Sequence, residues 1–242
     1  MRKNLVDCNT VTRGDKVAIL IALLLLAAAA GAAAGETGGQ RNWYSLAVAP
    51  VEDPAALIDN PEVIYHEVKP GPEGSGVQVV STIDVHALYD VPVAELAAVL
   101  TDLNDYPSFS PRVTESSARQ FSGNPKQWIQ KIKLSFRVLF FGEDYEYTLR
   151  VTSRPGNDPG SVAFYFALEN SLDGKLSDVA GSWYLVPMTV GQKQYTYVRY
   201  FNHIEFSKQS FGLKAALRLF GASDMASAMT AFVDEAKRRE AK

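Results

Sequence analysis

From residue 112 to residue 206 the chain is an almost unbroken series of alternating apolar and polar segments, and this limits its fold more than any other feature. The candidate strands are 113–121, 127–139, 143–153, 161–169, 175–187 and 194–206. Turn chemistry separates several of them: Gly123-Asn124-Pro125, Pro155-Gly156-Asn157-Asp158-Pro159-Gly160 and Asp173-Gly174. Successive strand side chains point to opposite faces, so a period of two assigns a dry and a wet phase. Trp128, Ile132, Leu134 and Phe136 fall opposite Lys131, Lys133 and Arg137. Tyr145, Tyr147, Leu149 and Val151 fall opposite Asp144, Glu146 and Arg150. Phe164, Phe166 and Leu168 oppose Tyr165 and Glu169, and Trp183 and Leu185 share a phase. Val198, Tyr200, Ile204 and Phe206 oppose Arg199, His203 and Glu205. The expectation is an antiparallel meander with one wet face and one dry, aromatic face, and that dry face needs a partner.

The only long apolar rod in the chain is its end. In 223–242, Met225, Ala228, Met229, Phe232, Val233 and Ala236 recur at steps of three and four, the stripe of an amphipathic helix. Ser223 is the candidate N-cap, Asp224 suits the first turn, and Lys237, Arg238 and Arg239 suit the last. The preceding stretch 211–220 reads as a separate short amphipathic helix, with Lys214 and Arg218 four apart and Gly221 as its terminator. It either packs on the core as a lead-in or gates a cavity and touches membrane. The fold class expected is α+β: a strongly bent sheet wrapped around the C-terminal helix. An ordinary core with no cavity is the alternative.

Ahead of the meander, 62–69 and 77–88 read as strands forming a hairpin across the loop Pro70-Gly71-Pro72-Glu73-Gly74-Ser75-Gly76. Val93, Leu96, Ala97 and Leu100 mark a short helix with Pro92 at its start, and a second short helix follows around Pro107. Asp102 and Asp105 flank the break, where capping or turn formation accounts for them.

The N-terminus reads as a targeting segment. Arg2, Lys3, Arg13 and Lys16 precede an apolar run around Leu23-Leu24-Leu25-Leu26, and small residues with Ala32 and Ala34 follow. This is the order of a secretory signal cleaved after Ala34; an uncleaved anchor formed by 17–34 is the alternative, although the run is short for a spanning helix. The expected organisation is 1–34 signal peptide, 35–61 lead-in with Trp43 and Tyr44, and 62–242 folded domain, with the protein periplasmic or secreted. A formal net charge of −3 lends no support to nucleic-acid binding. Cys8 is the single cysteine and lies in the leader, which excludes an intramolecular disulfide and Cys-based zinc or redox chemistry. His66, His86 and His203 match no metal-ligand spacing, and nothing points to a cofactor.

The order of elements resembles the START-like (SRPBCC) helix-grip superfamily, and more narrowly its polyketide cyclase and coenzyme Q-binding branch. The local cues are Val99-Leu100-Thr101-Asp102-Leu103-Asn104-Asp105-Tyr106-Pro107-Ser108-Phe109-Ser110-Pro111, and Gly181-Ser182-Trp183-Tyr184-Leu185-Val186-Pro187 followed by Thr196-Tyr197-Val198-Arg199-Tyr200. The resemblance covers the chain from about residue 62 to its end; the export signal and the additional N-terminal hairpin depart from the typical member. It implies a deep apolar cavity between the sheet and the last helix, holding a lipid, sterol, quinone or polyketide. The dry-phase residues that would line it are Phe109, Phe136, Tyr147, Phe164, Phe166, Trp183, Val198, Tyr200, Asn202, Met225, Met229 and Phe232.

Catalytic chemistry is not spelled out. His203, Glu205 and Arg199 share the wet phase of one strand, which reads as a surface charge cluster. Asn202 is the polar residue in the dry phase; it meets either a ligand or a backbone group. Tyr145, Tyr147 and Tyr200 can present hydroxyls inward. The function expected is an exported binding or carrier protein for an apolar small molecule. A cyclase- or hydrolase-type enzyme and a non-binding envelope domain remain as alternatives.

Overall fold

The computed structural model describes residues 53–138, 141–208 and 210–241, with the backbone alone at 138 and 141. The leader at 1–34 and the first part of the lead-in, 35–52 with Trp43 and Tyr44, lie outside the described residues. A 3-10 turn (Pro54–Leu57) is followed by β1 (Glu62–Pro70) and β2 (Val79–Tyr89). Then come α1 (Val93–Thr101), a second 3-10 turn (Leu103–Asp105) and α2 (Tyr106–Phe109). The meander is β3 (Val113–Gly123), β4 (Lys126–Val138), β5 (Phe141–Pro155), β6 (Val162–Ser171), β7 (Leu176–Val190) and β8 (Lys193–Phe206), and α3 (Leu213–Glu240) closes the fold. The strands form one antiparallel sheet in the order β1-β2-β8-β7-β6-β5-β4-β3, with the β1–β2 hairpin in place. Among the described residues no helix is long and apolar enough to cross a membrane.

A flat sheet of eight strands spaced at about 4.8 Å would hold its edges roughly 34 Å apart. Here both edges reach neighbouring turns of α3. Arg112, immediately before the edge strand β3, donates from Nη2 to both carboxylate oxygens of Asp224, at 2.9 and 3.1 Å. At the other edge, Gly221 lies so close to β1 that a Cβ there would stand 3.2 Å from His66 Nε2. One turn earlier, Arg218 donates to the Val68 carbonyl at 3.2 Å. The sheet is therefore strongly curved around the helix, the helix-grip arrangement.

The periodicity predicts a break in this helix at Gly221; the helix runs through it. Leu213, Ala216, Leu217 and Phe220 continue the inward stripe of Met225, Met229, Phe232, Val233 and Ala236 at steps of three and four. A mid-helix glycine costs about 1 kcal/mol relative to alanine, but this one stands where His66 leaves little room for a side chain. Ser223 is correspondingly not a cap: its hydroxyl donates to the Phe220 carbonyl within the helix, at 3.0 Å.

The wet phase holds on β3 to β6, where Lys131–Glu146, Lys133–Glu115 and Arg150–Glu169 pair across strands. It fails on β2, β7 and β8. β2 is buried along its whole length, and Leu88, Tyr184, Val186 and Tyr197 form a second apolar cluster with Leu57 of the first 3-10 turn. On β7 the run Trp183-Tyr184-Leu185-Val186 is apolar in both phases, and on β2 and β8 the outward phase mixes Leu88 and Tyr197 with polar residues such as Asp84 and Arg199, so a period of two does not register the outer cluster. Arg199 is not solvated either: it holds the fully buried Asp84 carboxylate through Nε, at 3.0 and 3.2 Å, and Nη2, at 2.6 Å.

The far end of α3 is tied to the helical insertion between β2 and β3. Leu96, Val99 and Leu100 of α1 pack with Phe232, Val233 and Ala236. Asp102 and Asp105 do not cap with their side chains; Arg239 takes both, at 2.9 and 2.8 Å, and also meets Glu235 at 2.6 Å. The Asp105 amide makes the turn itself by donating to the Asp102 carbonyl. Glu235 is 5% exposed, and hydrogen bonds from Arg238 and Arg239 hold its carboxyl down at about 2. The fold favours the charged form, so the stabilisation is complete above the ordinary carboxylate value of 4.5 and is lost as pH falls toward 2. Glu235→Gln is expected to cost on the order of 1–2 kcal/mol at neutral pH, allowing for the exposed Arg238. Denaturant melts should show the gap to wild type closing as pH falls through that window; a gap that persists in strong acid would contradict this role for the carboxylate.

Candidate functional site

Between the concave face of the sheet and α3 lie two adjoining apolar lobes. The larger has a volume of about 160 Å³ and the smaller about 60 Å³. By a measure in which one water takes about 10–15 Å³, the larger lobe has room for on the order of ten. The lobes share walls made by Leu134, Phe136, Tyr147, Asn202, Ile204, Asp224 and Met225. The meander supplies these positions because alternate residues of β4, β5 and β8 point inward, while α3 contributes one residue per turn.

Of the residues expected to line a cavity, Phe136, Tyr147, Phe164, Phe166, Trp183, Tyr200, Asn202, Met225 and Phe232 border the larger lobe. Phe109, Val198 and Met229 border neither lobe. Val198 and Met229 are fully buried where α1 and the second half of α3 fill the space against β2 and β7. Phe109 packs edge-on against Phe232, with ring centroids 5.1 Å apart. Their phase is inward, but other side chains occupy that end of the fold.

The aromatic wall is itself packed. Phe232 meets Tyr106 at 4.9 Å and Trp183 at 5.2 Å, and Trp183 meets Tyr200 at 4.5 Å. Phe166 stacks beside Tyr200 at 6.2 Å and lies directly over Gly181, where a Cβ would stand 2.1 Å from its ring. A larger residue at 181 would drive that ring into the lobe.

Polar groups are few. The Arg112–Asp224 pair stands at the wall, with the guanidinium 6.0 Å from the Phe136 ring centre. Gln130, missed because it sits in a dry phase among apolar neighbours, is buried and donates to Ser116 Oγ at 2.9 Å. Tyr106 donates to the Leu100 carbonyl at 2.8 Å. Burial pushes the Tyr106, Tyr145, Tyr147 and Tyr200 hydroxyls well above their usual range, so all stay protonated. His66 is the imidazole at the wall, and burial lowers its pKa toward the neutral form. The sequence carried no sign of this role, because β1 belongs to the additional hairpin and its contact with α3 joins residues distant along the chain. His203 and Glu205 lie 3.5 Å apart on the opposite face of the sheet, with His203 bonded to Thr82. The arrangement is suited to enclosing an uncharged, mainly apolar body.

A family model described as polyketide cyclase / dehydrase and lipid transport matches residues 89–233. No curated protein matches the chain. Among solved structures, the chain is similar to the STAR-related lipid transfer protein (fragment 25–204) from Xanthomonas axonopodis, at 14% identity over 71% of this chain and 98% of that one, with a TM-score of 0.53. It is also similar to human StAR-related lipid transfer protein 5, at 9% identity over 72% of this chain and 88% of that one, with a TM-score of 0.55. At such identities the structural likeness is one of fold. The family match, by contrast, spans more than half of the sequence and runs from the end of β2 into the second half of α3. The chain belongs to the polyketide cyclase / dehydrase and lipid-transport family of the START-like (SRPBCC) superfamily.

Proposed function

We propose that this protein binds or carries an apolar small molecule of the lipid, quinone or isoprenoid class, held between the sheet and α3. The observation that carries this reading is the pair of adjoining lobes whose walls are aromatic and aliphatic from strand to helix. The family description and the names of the similar lipid transfer proteins support it. Organic extraction of the purified protein followed by mass spectrometry is expected to release a stoichiometric apolar compound. An environment-sensitive fluorescent fatty-acid or quinone probe should bind saturably. Ala228→Trp, which fills the larger lobe from α3, is expected to weaken probe binding at least about tenfold with the fold retained by circular dichroism. Protein that extracts empty and ignores every probe would favour a non-binding interaction domain, and a probe whose mass changes on incubation would favour an enzyme.

The carrier is proposed to work outside the cytoplasm, on the strength of the basic, apolar and small-residue order of the leader. Mass spectrometry of protein recovered from the exporting cell should give Gly35 as the first residue; a retained apolar run would favour an anchor.

Contact with a lipid surface is proposed through 211–220, the residues leading into α3 and its first turns. Phe211 and Leu219 are 99% and 64% exposed, and Arg218 is exposed beside them. Co-sedimentation with anionic vesicles should fall several-fold in the double variant Phe211→Ser, Leu219→Ser. Equal sedimentation of variant and wild type would remove this part of the proposal.

A further inference from the structure

Three buried polar atoms without a hydrogen-bond partner among the described residues lie around one lobe. His66 Nε2, the Tyr145 hydroxyl and Asn202 Oδ1 all belong to residues lining the smaller lobe. They come from three different strands, β1, β5 and β8. His66 and Asn202 are both in register with Ile83 of β2, so they stand in one row of the sheet, two strands and roughly 10 Å apart. Ile83, between them, is also part of the lobe wall. α3 covers the row with Gly221 against His66. Asn202 Oδ1 is left without a hydrogen-bond partner although it is buried at the wall of both lobes. Two other buried polar atoms among the described residues lack a hydrogen bond, His86 Nε2 and Asp144 Oδ1, but each stands beside an ion-pair partner, Glu62 at 3.5 Å and Arg137 at 2.8 Å; Gln130 and Tyr106 both have hydrogen-bond partners.

The donor and acceptor chemistry of the three atoms is specific. Asn202 Oδ1 only accepts, while a tyrosine hydroxyl and a neutral imidazole each either donate or accept. A ligand hydroxyl, which donates once and accepts as well, answers both kinds of partner. A carboxylate cannot donate to Asn202, and it would share the lobe with the Asp224 side chain. A methyl end would leave all three atoms unpaired.

We propose that the smaller lobe recognises an uncharged hydroxyl at one end of the bound molecule, through Asn202, Tyr145 and His66, while the apolar body occupies the larger lobe. This rests on the binding function proposed above and narrows the ligand to an apolar alcohol. His66 lies outside residues 89–233, so this part of the site is supplied by the hairpin that the family match does not include.

The test is competition against a bound fluorescent apolar probe by 1-dodecanol, dodecane and dodecanoate, each delivered from cyclodextrin. Dodecanol is expected to displace the probe at concentrations about tenfold below either of the others. Tyr145→Phe and Asn202→Leu preserve volume; each should reduce that preference to about twofold or threefold, with the fold retained by circular dichroism. Equal displacement by all three compounds, as expected if the orphaned atoms serve only water, would overturn this inference and leave the binding function standing. An alcohol preference that survives in both variants would overturn the assignment to these residues. No displacement by any of the three would overturn both proposals.

Discussion

The structure depends on a single helix meeting both edges of an eight-stranded sheet. Arg112 beside β3 reaches Asp224, and His66 of β1 reaches Gly221, three residues earlier on the same rod. A sheet held at both margins in this way has to curve, and a curved sheet presents its whole concave face to one partner. The dry phases of the meander then converge instead of lying side by side. At the far end, Arg239 binds Asp102, Asp105 and Glu235 together and sets the height of α1 over the core.

That geometry also explains why the interior is incompletely filled. One helix contributes about one inward residue per turn to each line of contact, whereas a curved sheet several strands wide surrounds a broader space. Near α1 the gap is closed by Leu96, Val99, Met229 and Phe232. Toward β4 and β5 the helical turns of the insertion supply only Leu100, Leu103 and Tyr106 to the wall, and the lobes remain between Phe136, Tyr147 and Met225. Empty apolar space is costly to a protein alone, and unpaired buried polar atoms add to that cost. A guest that covers the aromatic wall and bonds the leftover atoms would recover both.

Much of the fold was legible because its signals are local. Each strand of the meander carries its own alternation, the hairpin has its glycine-rich loop, and Pro92 and Pro107 punctuate the short helices. Gly221 misled because a helix-terminating residue and a close-packed helical glycine look the same in one dimension; the presence of His66 opposite distinguishes them. Asp102 and Asp105 misled for a related reason. Their neighbours suggest caps, but their partner is Arg239, far along the chain. The burial of β7 on both faces was equally hidden, since Trp183-Tyr184-Leu185-Val186 is apolar whichever face is wet, and that of Asp84 and Arg199 on β2 and β8 was hidden because charged residues read as solvated.

The sequence by itself determined the element types, the antiparallel meander and the inward phase of the aromatic residues, because alternation, helical period and turn chemistry act between near neighbours. Only the tertiary structure decided where the space lies. It brought Asn202, Tyr145 and His66 around one lobe, left Val198 and Met229 as solid core, and made one helix of two predicted segments. Those outcomes depend on the curvature of the sheet and on how close the helix comes to it, and both are set by contacts between residues more than a hundred positions apart.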